Sequence, residues 1–596
     1  MKQTGEKIHF LNPLSRSWII RLASIITGGS IWILAGDIAT VPPSLVSLAV
    51  IMISIGLLVL FLDIGRALKS EFDILKVFMP IIAAVGIGAI LLLAEHSFRY
   101  LFFLWPLDDG EGFCLNQAKL LATGSALYPP IDCPPYIVTN YPPVFPFLLS
   151  FFIDPNNVLF FSGRLISVIA TIITCMAASR CVVAATGNRK AGWIAGILIA
   201  ASPVIYFWSA LVRVDLLATA LGIIGLRIAM TYRGSARYLS VPFVVAALFT
   251  RQSSVEAAAA IAVGMLLEPP GEKNGRNSPF IRALIFVVLW TAITVLSVLF
   301  LQLWSDGEFW KHTVTYTKTR FFSMRLISNM QWIFQTHSLL LVLALIALPS
   351  ALKDSKRRML GIFFIASFGT ALLSGKIGSD LNYFLNLIVA SACLVGCFAH
   401  DLARFSLSGQ NRPAWLIPAM ILIPATIVHS GLLTGYRTLS FQPRWEDNHN
   451  GFLIFDILSD SDEPILSEDE GFCLIAGHEV IFNPFIMSEL AREGTWDQTD
   501  FVNSIKNREY KIIMLRFDVN NPHHDDRTEA GKYAGWDRFT NEMEEAISEN
   551  YEINPNIGVI YMRRPWHFYR RKEELGAEVS EIMRLRNLLE SEAGNY

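Results

Sequence analysis

The sequence has 596 residues, of which 53% are hydrophobic and only 17% are charged, and its formal net charge is −2. Soluble proteins carry about 25% charged residues, so this composition excludes an ordinary soluble chain. The near-neutral balance says little more, and we expect no nucleic-acid partner.

Apolar runs of membrane-spanning length account for the charge deficit, which is concentrated in the first two thirds of the chain. A helical span needs about 20 predominantly apolar residues. We predict spans near 17–36, 43–64, 77–95, 157–185, 191–208, 213–231, 282–303, 332–352, 358–374, 380–400 and 414–434. Shorter runs at 238–250 and 253–268 predict two more, which gives an all-α polytopic membrane bundle of about thirteen spans.

Basic residues predict the orientation of this bundle, because Lys and Arg accumulate in cytoplasmic loops. If the spans alternate, the basic loops fall on one side, and they contain Lys2, Arg66, Arg189, Lys273 and Lys356. The N-terminus is then cytoplasmic, and the opposite side holds residues 96–156, 304–331, 375–381 and 435–596. The first apolar run is long and has no small-residue cleavage site, which is typical of a retained span in the cytoplasmic membrane.

Seven cysteines are few for this length, and four of them lie in predicted spans, where cysteine behaves as a small apolar residue. Cys114 and Cys133 share the first external loop. They could form a disulfide, because the predicted compartment is oxidising, but the sequence leaves this pairing open. No cysteine pair has metal-ligand spacing.

The first external loop carries three carboxylates directly after a long apolar helix, in the stretch Pro106-Leu107-Asp108-Asp109-Gly110-Glu111-Gly112. A helix starting at Asp108 would place Asp108 and Glu111 on one face, with Asp109 pointing elsewhere. Helix capping explains one acid in a first turn easily, but it explains three less well. We therefore predict a functional role for at least one of these acids.

Three later motifs are predicted to lie on the same external face. Arg251, within 250–254, has a guanidinium suited to bidentate phosphate binding, although it could equally snorkel to lipid headgroups. Lys376 lies in a turn with two glycines that let a ligand approach the backbone; a plain turn with a lysine anchor is the simpler alternative. Arg213 and Asp215 begin a predicted span, where ionisable residues mark functional sites or pair between helices.

Residues 435–596 have the composition of a soluble domain, with acidic runs at 459–463 and 467–470. In this domain 511–515 and 558–562 predict buried strands, while 501–508 and 541–550 predict helices. Because strands alternate with helices, we predict a small C-terminal extracytoplasmic α/β domain. The stretch 571–590 predicts a charged amphipathic helix.

The order of these motifs resembles that of a known family. Pro-Leu-Asp-Asp-Gly-Glu-Gly (106–112), Leu-Ala-Thr-Gly-Ser-Ala-Leu-Tyr-Pro-Pro (121–130) and Asn-Tyr-Pro-Pro-Val (140–144) look like the first external loop of GT-C-type polytopic membrane glycosyltransferases. They are most similar to the bacterial dolichyl-phosphate-mannose-mannosyltransferase-like group (glycosyltransferase family 39, RgtA-like). Residues 213–218, 251–253 and 375–384 resemble later motifs of that group, in the same order.

This resemblance covers residues 77–400 and suggests a division of the chain into three parts. Residues 1–76 look like added N-terminal membrane helices. Residues 77–434 are similar to a GT-C catalytic membrane domain with its external loop at 96–156, and residues 435–596 to the external domains that many such enzymes carry.

The resemblance also implies an activity, namely transfer of a sugar from a polyprenyl-phosphate-linked donor to a glycan, lipid or protein acceptor on the extracytoplasmic face, usually with inversion. It makes Asp108 the first choice for the base, with Glu111 in support, while Asp109 occupies a position that varies in the family. The residues implied in substrate or phosphate binding are Arg251, Lys376, Arg213, Tyr141, Asn382 and Tyr383. Some relatives hold a divalent metal ion in this loop, which makes such an ion a possible cofactor.

A polytopic transporter or flippase is the main alternative. Such a protein would have charged residues at mid-bilayer and interrupted helices in paired halves. The charges of this sequence cluster at one predicted face, and the chain contains no evident internal repeat.

Overall fold

The computed structural model describes residues 74–269, 278–407, 422–431, 442–521, 538–555 and 557–574. The predicted spans at 17–36 and 43–64 lie outside the described residues, as does part of the span predicted at 414–434. The boundaries predicted at 76 and 434 both remain predictions, since neighbouring residues lie outside as well.

As far as Gly431, the regular secondary structure of the described chain is helical. They are α1 (Ile74–Phe102), α2 (Asp109–Ala122), α3 (Val144–Ser150), α4 (Phe161–Thr186), α5 (Arg189–Ala200), α6 (Pro203–Trp208), α7 (Asp215–Thr231), α8 (Ser240–Thr250), α9 (Glu256–Leu266), α10 (Pro279–Trp304), α11 (Glu308–Trp310), α12 (Ser323–Lys353), α13 (Arg358–Ala371), α14 (Leu385–Leu407) and α15 (Leu422–Gly431). Short 3₁₀ segments occur at Gly234–Leu239, Leu372–Gly375 and Leu381–Phe384, and a π turn at Lys311–Thr315.

Six described segments are long and apolar enough to cross a membrane. They are Ile82–Phe102, Phe161–Thr186, Pro279–Trp304, Ser323–Lys353, Arg358–Gly375 and Leu381–Arg404. On α10, apolar side chains point away from the protein, and Leu303 is 81% exposed. Contact with lipid explains this exposure, because hydrocarbon replaces water around a membrane helix. The chain is therefore an integral membrane protein, while the total of about thirteen spans stays a prediction.

The span predicted at 191–208 consists of two helices, α5 and α6. Pro203 has no backbone N–H to continue α5, and it occupies the first turn of α6, where none is needed. The Ser202 side chain caps α6 by accepting from the backbone N–H of Ile205. Arg213 follows this break, in the segment between the end of α6 at Trp208 and the start of α7 at Asp215.

The C-terminal part is a small α/β unit, as predicted. Its elements are α16 (Trp445–Ser459), β1 (Ile465–Ser467), α17 (Glu470–Ile475), α18 (Pro484–Arg492), α19 (Thr499–Lys506), β2 (Ile512–Leu515), α20 (Asn541–Asn550), β3 (Tyr551–Ile553), β4 (Val559–Tyr561) and β5 (Arg564–Arg571). Strand β1 runs parallel to β2, while β5 pairs antiparallel with β2, β3 and β4. The two predicted strands and two predicted helices are confirmed. Arg571, where a helix was predicted to start, ends β5; residues 572–574 are helical, and residues 575–596 lie outside the described part.

One hydrophobic cluster joins the region after α1 to this C-terminal unit. It contains Trp105 and Leu115 from the loop and Phe472, Trp566 and Phe568 from the C-terminal unit, each at most 3% exposed. Burying five large side chains stabilises the contact by several kcal/mol, at roughly 1.5–3 kcal/mol for each side chain. The loop that carries the three acids is therefore packed between the bundle and the C-terminal unit.

Candidate active site

Asp108 lies at the N-cap of α2, so the helix begins one residue later than predicted. Its backbone is extended, with φ −145° and ψ 140°, and its Oδ2 accepts from the backbone N–H of Gly110 at 3.0 Å. The same oxygen accepts from Arg213 Nη1 at 3.1 Å. Capping and ion pairing thus share one carboxylate oxygen, which fixes the side chain at the start of the helix.

Gly110 makes the Asp108–Arg213 contact possible. A Cβ atom at residue 110 would lie 1.3 Å from Arg213 Nη1. Any side chain there would occupy the space of the guanidinium. Glycine in this loop is required for the close approach of a side chain, rather than for backbone conformation.

Burial raises the pKa of the Asp108 carboxyl to about 6, even though Arg213 acts to lower it. The neighbouring charges of Asp109 and Glu111 add to the rise. A carboxylate in this environment is a stronger base than an exposed one, because its charged form is less well solvated. Asp108 therefore has the proton affinity that a general base needs near neutral pH.

Glu111 is fully buried. Its two oxygens accept from Arg164 Nε and Nη2, both at 2.8 Å. The backbone N–H groups of Leu107 and Val212 also donate to it, at 2.7 and 2.9 Å. With both oxygens occupied, Glu111 ties the loop to α4 and to the segment before α7, and breaking such a buried pair typically costs about 3–5 kcal/mol.

Asp109 has partners in the C-terminal unit, in line with the prediction that it points elsewhere. Its carboxylate binds the guanidinium groups of Arg516 and Arg538. Burial acts to raise the pKa of Asp109, but the two guanidinium groups outweigh it and hold the pKa well below its usual range. Asp109 is therefore a stably ionised anchor rather than a group that exchanges protons near neutral pH.

Arg213 and Arg251 meet at Asp215, which is buried at the start of α7. Arg251 Nε lies 3.3 Å from Asp215 Oδ1, and Arg213 Nε lies 3.7 Å from Oδ2. Asn382 Nδ2 donates to Asp215 Oδ1 at 2.9 Å, while Arg251 Nη1 donates to the Asn382 carbonyl oxygen at 3.2 Å. The predicted residues Arg213, Arg251 and Asn382 are thus brought together, and Asp215 is the carboxylate that joins them.

Two nitrogen atoms of Arg213 and Arg251 can still donate hydrogen bonds. Arg251 Nη2 and Arg213 Nε are buried and have no hydrogen-bond partner among the residues that the structure describes. Unpaired buried N–H groups are costly, so an anion with oxygen acceptors is the ligand that suits this position.

Aromatic rings hold both guanidinium groups in place. The Arg251 guanidinium lies 4.3 Å from the ring centroid of Tyr383, and that of Arg213 lies 5.0 Å from the ring of Trp208. Tyr141 is close enough to interact electrostatically with both arginines, and burial raises the pKa of its hydroxyl, which therefore stays protonated. Stacked guanidinium planes lose less freedom on binding a ligand.

Lys376 binds backbone groups of the preceding loop. Its Nζ donates to the carbonyl oxygen of Thr317 at 3.1 Å, and its backbone pairs with Phe321. Its predicted role in phosphate binding stays a prediction that these contacts do not favour.

A divalent ion finds no suitable donor set in the described part of the chain. No group of three or more His, Cys, Asp or Glu side chains there is arranged to hold a metal. The three acids of the loop instead each face at least one arginine. We therefore assign no step to a metal ion.

Cys114 and Cys133 are both free thiols, so the disulfide that the sequence left open is not formed in this structure. Cys114 is buried on α2, whereas Cys133 is exposed. Their different environments explain why sharing one external loop does not bring them together.

Four residues of this region were not predicted as site residues, namely Arg164, Asp469, Arg516 and Arg538. Arg164 carried a signal, because a fully charged side chain inside a predicted span must face a protein partner. Asp469 belonged to an acidic run that appeared to be solvated, yet it is buried and contacts Arg516 at 3.1 Å.

Comparison with solved structures identifies the fold of the chain. The apo structure of ArnT from Cupriavidus metallidurans superposes with a TM-score of 0.51 at 12% sequence identity, covering 81% of this chain and 97% of that one. The chain has the GT-C fold. The resemblance in the order of motifs is therefore confirmed at the level of the fold.

Two further structures with the GT-C fold score lower. ArnT from the same organism bound to undecaprenyl phosphate gives a TM-score of 0.48 at 13% identity, covering 83% of this chain and 98% of that one. The archaeal oligosaccharyltransferase AglB from Archaeoglobus fulgidus, in complex with an inhibitory peptide and a dolichol-phosphate, gives 0.47 at 12% identity, covering 80% and 73%. No protein-family model matches the sequence, and no curated protein matches it significantly.

Proposed function

We propose that this protein is a membrane glycosyltransferase that moves a sugar from a polyprenyl-phosphate-linked donor to an acceptor on the extracytoplasmic face of the cytoplasmic membrane. The observation that carries the proposal is the pairing of a basic carboxylate with a cationic anion site. Asp108 contacts Arg213 at 3.1 Å, and Arg213 shares Asp215 with Arg251. These contacts support a proposal in which Asp108 is the base and the two arginines bind the phosphate.

The two arginines suit the leaving group of such a reaction. When the bond between sugar C1 and the phosphate oxygen breaks, negative charge develops on the phosphate. Fixed guanidinium groups stabilise that charge without reorganisation. The N–H groups on Arg251 Nη2 and Arg213 Nε have no hydrogen-bond partner among the described residues, and we assign the two side chains to this role.

Asp108 suits the other half of the reaction. An acceptor hydroxyl attacks C1, a new C1–O bond forms, and the hydroxyl proton passes to the Asp108 carboxylate and later to water. The polyprenyl phosphate leaves with the electron pair of the broken bond. Attack from the side opposite the phosphate inverts the configuration at C1, which is the outcome expected for a single displacement.

A lipid-linked donor is consistent with the surroundings of this site. Phe147 on the loop helix α3, and Phe151 and Phe152 directly after it, are 56–66% exposed. Such side chains favour the membrane surface over water. ArnT, whose apo structure shares the fold of this chain, has also been solved with bound undecaprenyl phosphate. A hexosyl or pentosyl donor fits the proposal equally.

An assay of the purified full-length protein with a panel of undecaprenyl-phosphate sugars tests this function. We expect transfer of sugar from at least one donor to an acceptor hydroxyl, with release of undecaprenyl phosphate in equal amount. Nucleotide sugars supplied in place of the lipid-linked donors should give no product. Movement of intact lipid-linked sugar between leaflets of a proteoliposome, with no transfer in any combination, would instead favour the transporter alternative.

A further inference from the structure

The C-terminal unit holds the acidic loop at three separate points. The hydroxyl of Tyr561 donates to the carbonyl oxygen of Pro106 at 2.6 Å. Arg516 and Arg538 bind Asp109. These contacts come from three parts of the unit, which are β4, the residue after β2 and the segment before α20.

The third point is a contact between two backbones. A Cβ atom at Gly112 would lie 2.2 Å from the backbone nitrogen of Gly471. Helices α2 and α17 therefore touch without intervening side chains, and neither chain can shift to make room. This contact and the ion pairs fix α2 along its first turn, which is the turn that Asp108 caps.

Arg516 and Arg538 are themselves held rigidly within the C-terminal unit. Arg516 contacts Asp469 Oδ2 at 3.1 Å, its backbone N–H donates to Glu468 Oε2 at 2.8 Å, and its guanidinium lies 4.7 Å from the ring of Trp566. Arg538 Nε lies 3.4 Å from Glu468 Oε1. An exposed ion pair usually has fewer contacts than these. Because both arginines are fixed in the C-terminal unit, the position of that unit determines the position of Asp109.

We propose that the C-terminal unit sets the position and the charge environment of Asp108, with Arg516 and Arg538 as positioning residues that act through Asp109. This inference rests on the proposed function, in which Asp108 is the base. It also gives Asp109 a definite role, which is to connect the loop to the domain rather than to accept a proton. A base that must lie within hydrogen-bonding reach of its proton depends on such support.

The same contacts link the domain to the proton affinity of Asp108. The charged groups that face Asp108 are Arg213 from the segment before α7 and, on α2, Asp109 and Glu111. From the C-terminal unit, the arginines Arg516, Arg538 and Arg564 and the acids Asp469 and Glu470 interact electrostatically with Asp109. Removing an arginine leaves the negative charge of Asp109 less compensated, which disfavours ionised Asp108; removing the charge of Asp109 does the reverse.

Two substitutions, Arg516→Gln and Asp109→Asn, test this inference in the full-length protein. In both variants we expect amide hydrogen exchange in residues 109–115 to rise by at least about tenfold, because a charge-assisted contact is lost. We expect the acid limb of the pH profile of kcat/KM to move to higher pH in Arg516→Gln and to lower pH in Asp109→Asn. Arg516→Lys keeps the charge and should return the limb to its wild-type position.

Arg320→Gln is the matched control, because Arg320 also pairs with the C-terminal unit, through Glu489 at 3.3 Å, but away from the acidic loop. It should leave both readouts unchanged. Unchanged exchange in both test variants, or limbs that move in the same direction, would overturn the inference. Hydrogen exchange needs no substrate, so raised exchange in a protein without transferase activity would reject the proposed function and leave the anchoring by Arg516 and Arg538 intact.

Discussion

Replacing Asp108 with Asn is expected to lower kcat/KM for sugar transfer by about 10²–10⁴-fold, the usual contribution of a general base. Asn has nearly the shape of Asp and can still accept from the Gly110 N–H, so α2 should keep its cap. The variant loses the ability to take the acceptor proton, and also the charge that pairs with Arg213. Initial rates of the purified variant over a range of lipid-linked donor concentrations measure kcat/KM.

The dependence of activity on pH also tests the role of Asp108 as the base. Because burial raises the pKa of Asp108 to about 6, the ionised, basic form is lost as the pH falls through 6. Activity of the wild-type protein should therefore rise with pH up to that region and level off above it. Asp108→Asn should show low activity without this limb, while Asp462→Asn, an exposed acid, should behave as wild type. A wild-type limb retained in Asp108→Asn would assign the base to another group.

Replacing Arg251 with Gln is expected to lower kcat by about 10²–10³-fold, as does removal of one preorganised donor from an anionic transition state. Arg251 is 7% exposed, lies on the ring of Tyr383 and has one N–H group without a partner, so its charge is directed inward. Arg251→Lys should recover part of the loss, because it keeps the charge without the planar fork. Steady-state kinetics with one lipid-linked donor separate kcat from KM.

Arg233→Gln serves as the control for this prediction. Arg233 is a largely exposed arginine whose side chain faces Glu268 at 3.8 Å. Its loss should change kcat little, since exposed ion pairs contribute little free energy. An Arg251→Gln protein that folds normally and keeps wild-type kcat would show that Arg251 serves the structure of the bundle and not the leaving group.

Much of the site could be read from the sequence because its members belong to short, local patterns. Three acids beside an apolar helix, and arginines at the ends of apolar runs, are unusual enough to stand out. The strands at 512–515 and 559–561 could also be predicted, since short runs of β-branched and apolar residues are typical of buried strands.

The binding partners of the three acids could not be predicted from the sequence. Asp109 and Arg516 are 407 residues apart, and no local pattern couples them. The choice of partner depends on how the C-terminal unit packs on the loop, which is fixed by the buried cluster around Trp105 and Phe472. The break at Pro203 similarly turned one predicted span into two helices, because local backbone chemistry prevailed over hydropathy.

A structure of the full-length protein with bound undecaprenyl phosphate tests the central claim most directly. We expect the phosphate oxygens within about 3.5 Å of Arg251 Nη2 and Arg213 Nε, the upper limit for a hydrogen bond, with the lipid chain leaving between the spans. A phosphate bound elsewhere, with both arginine N–H groups still unpaired, would contradict the assignment of this site.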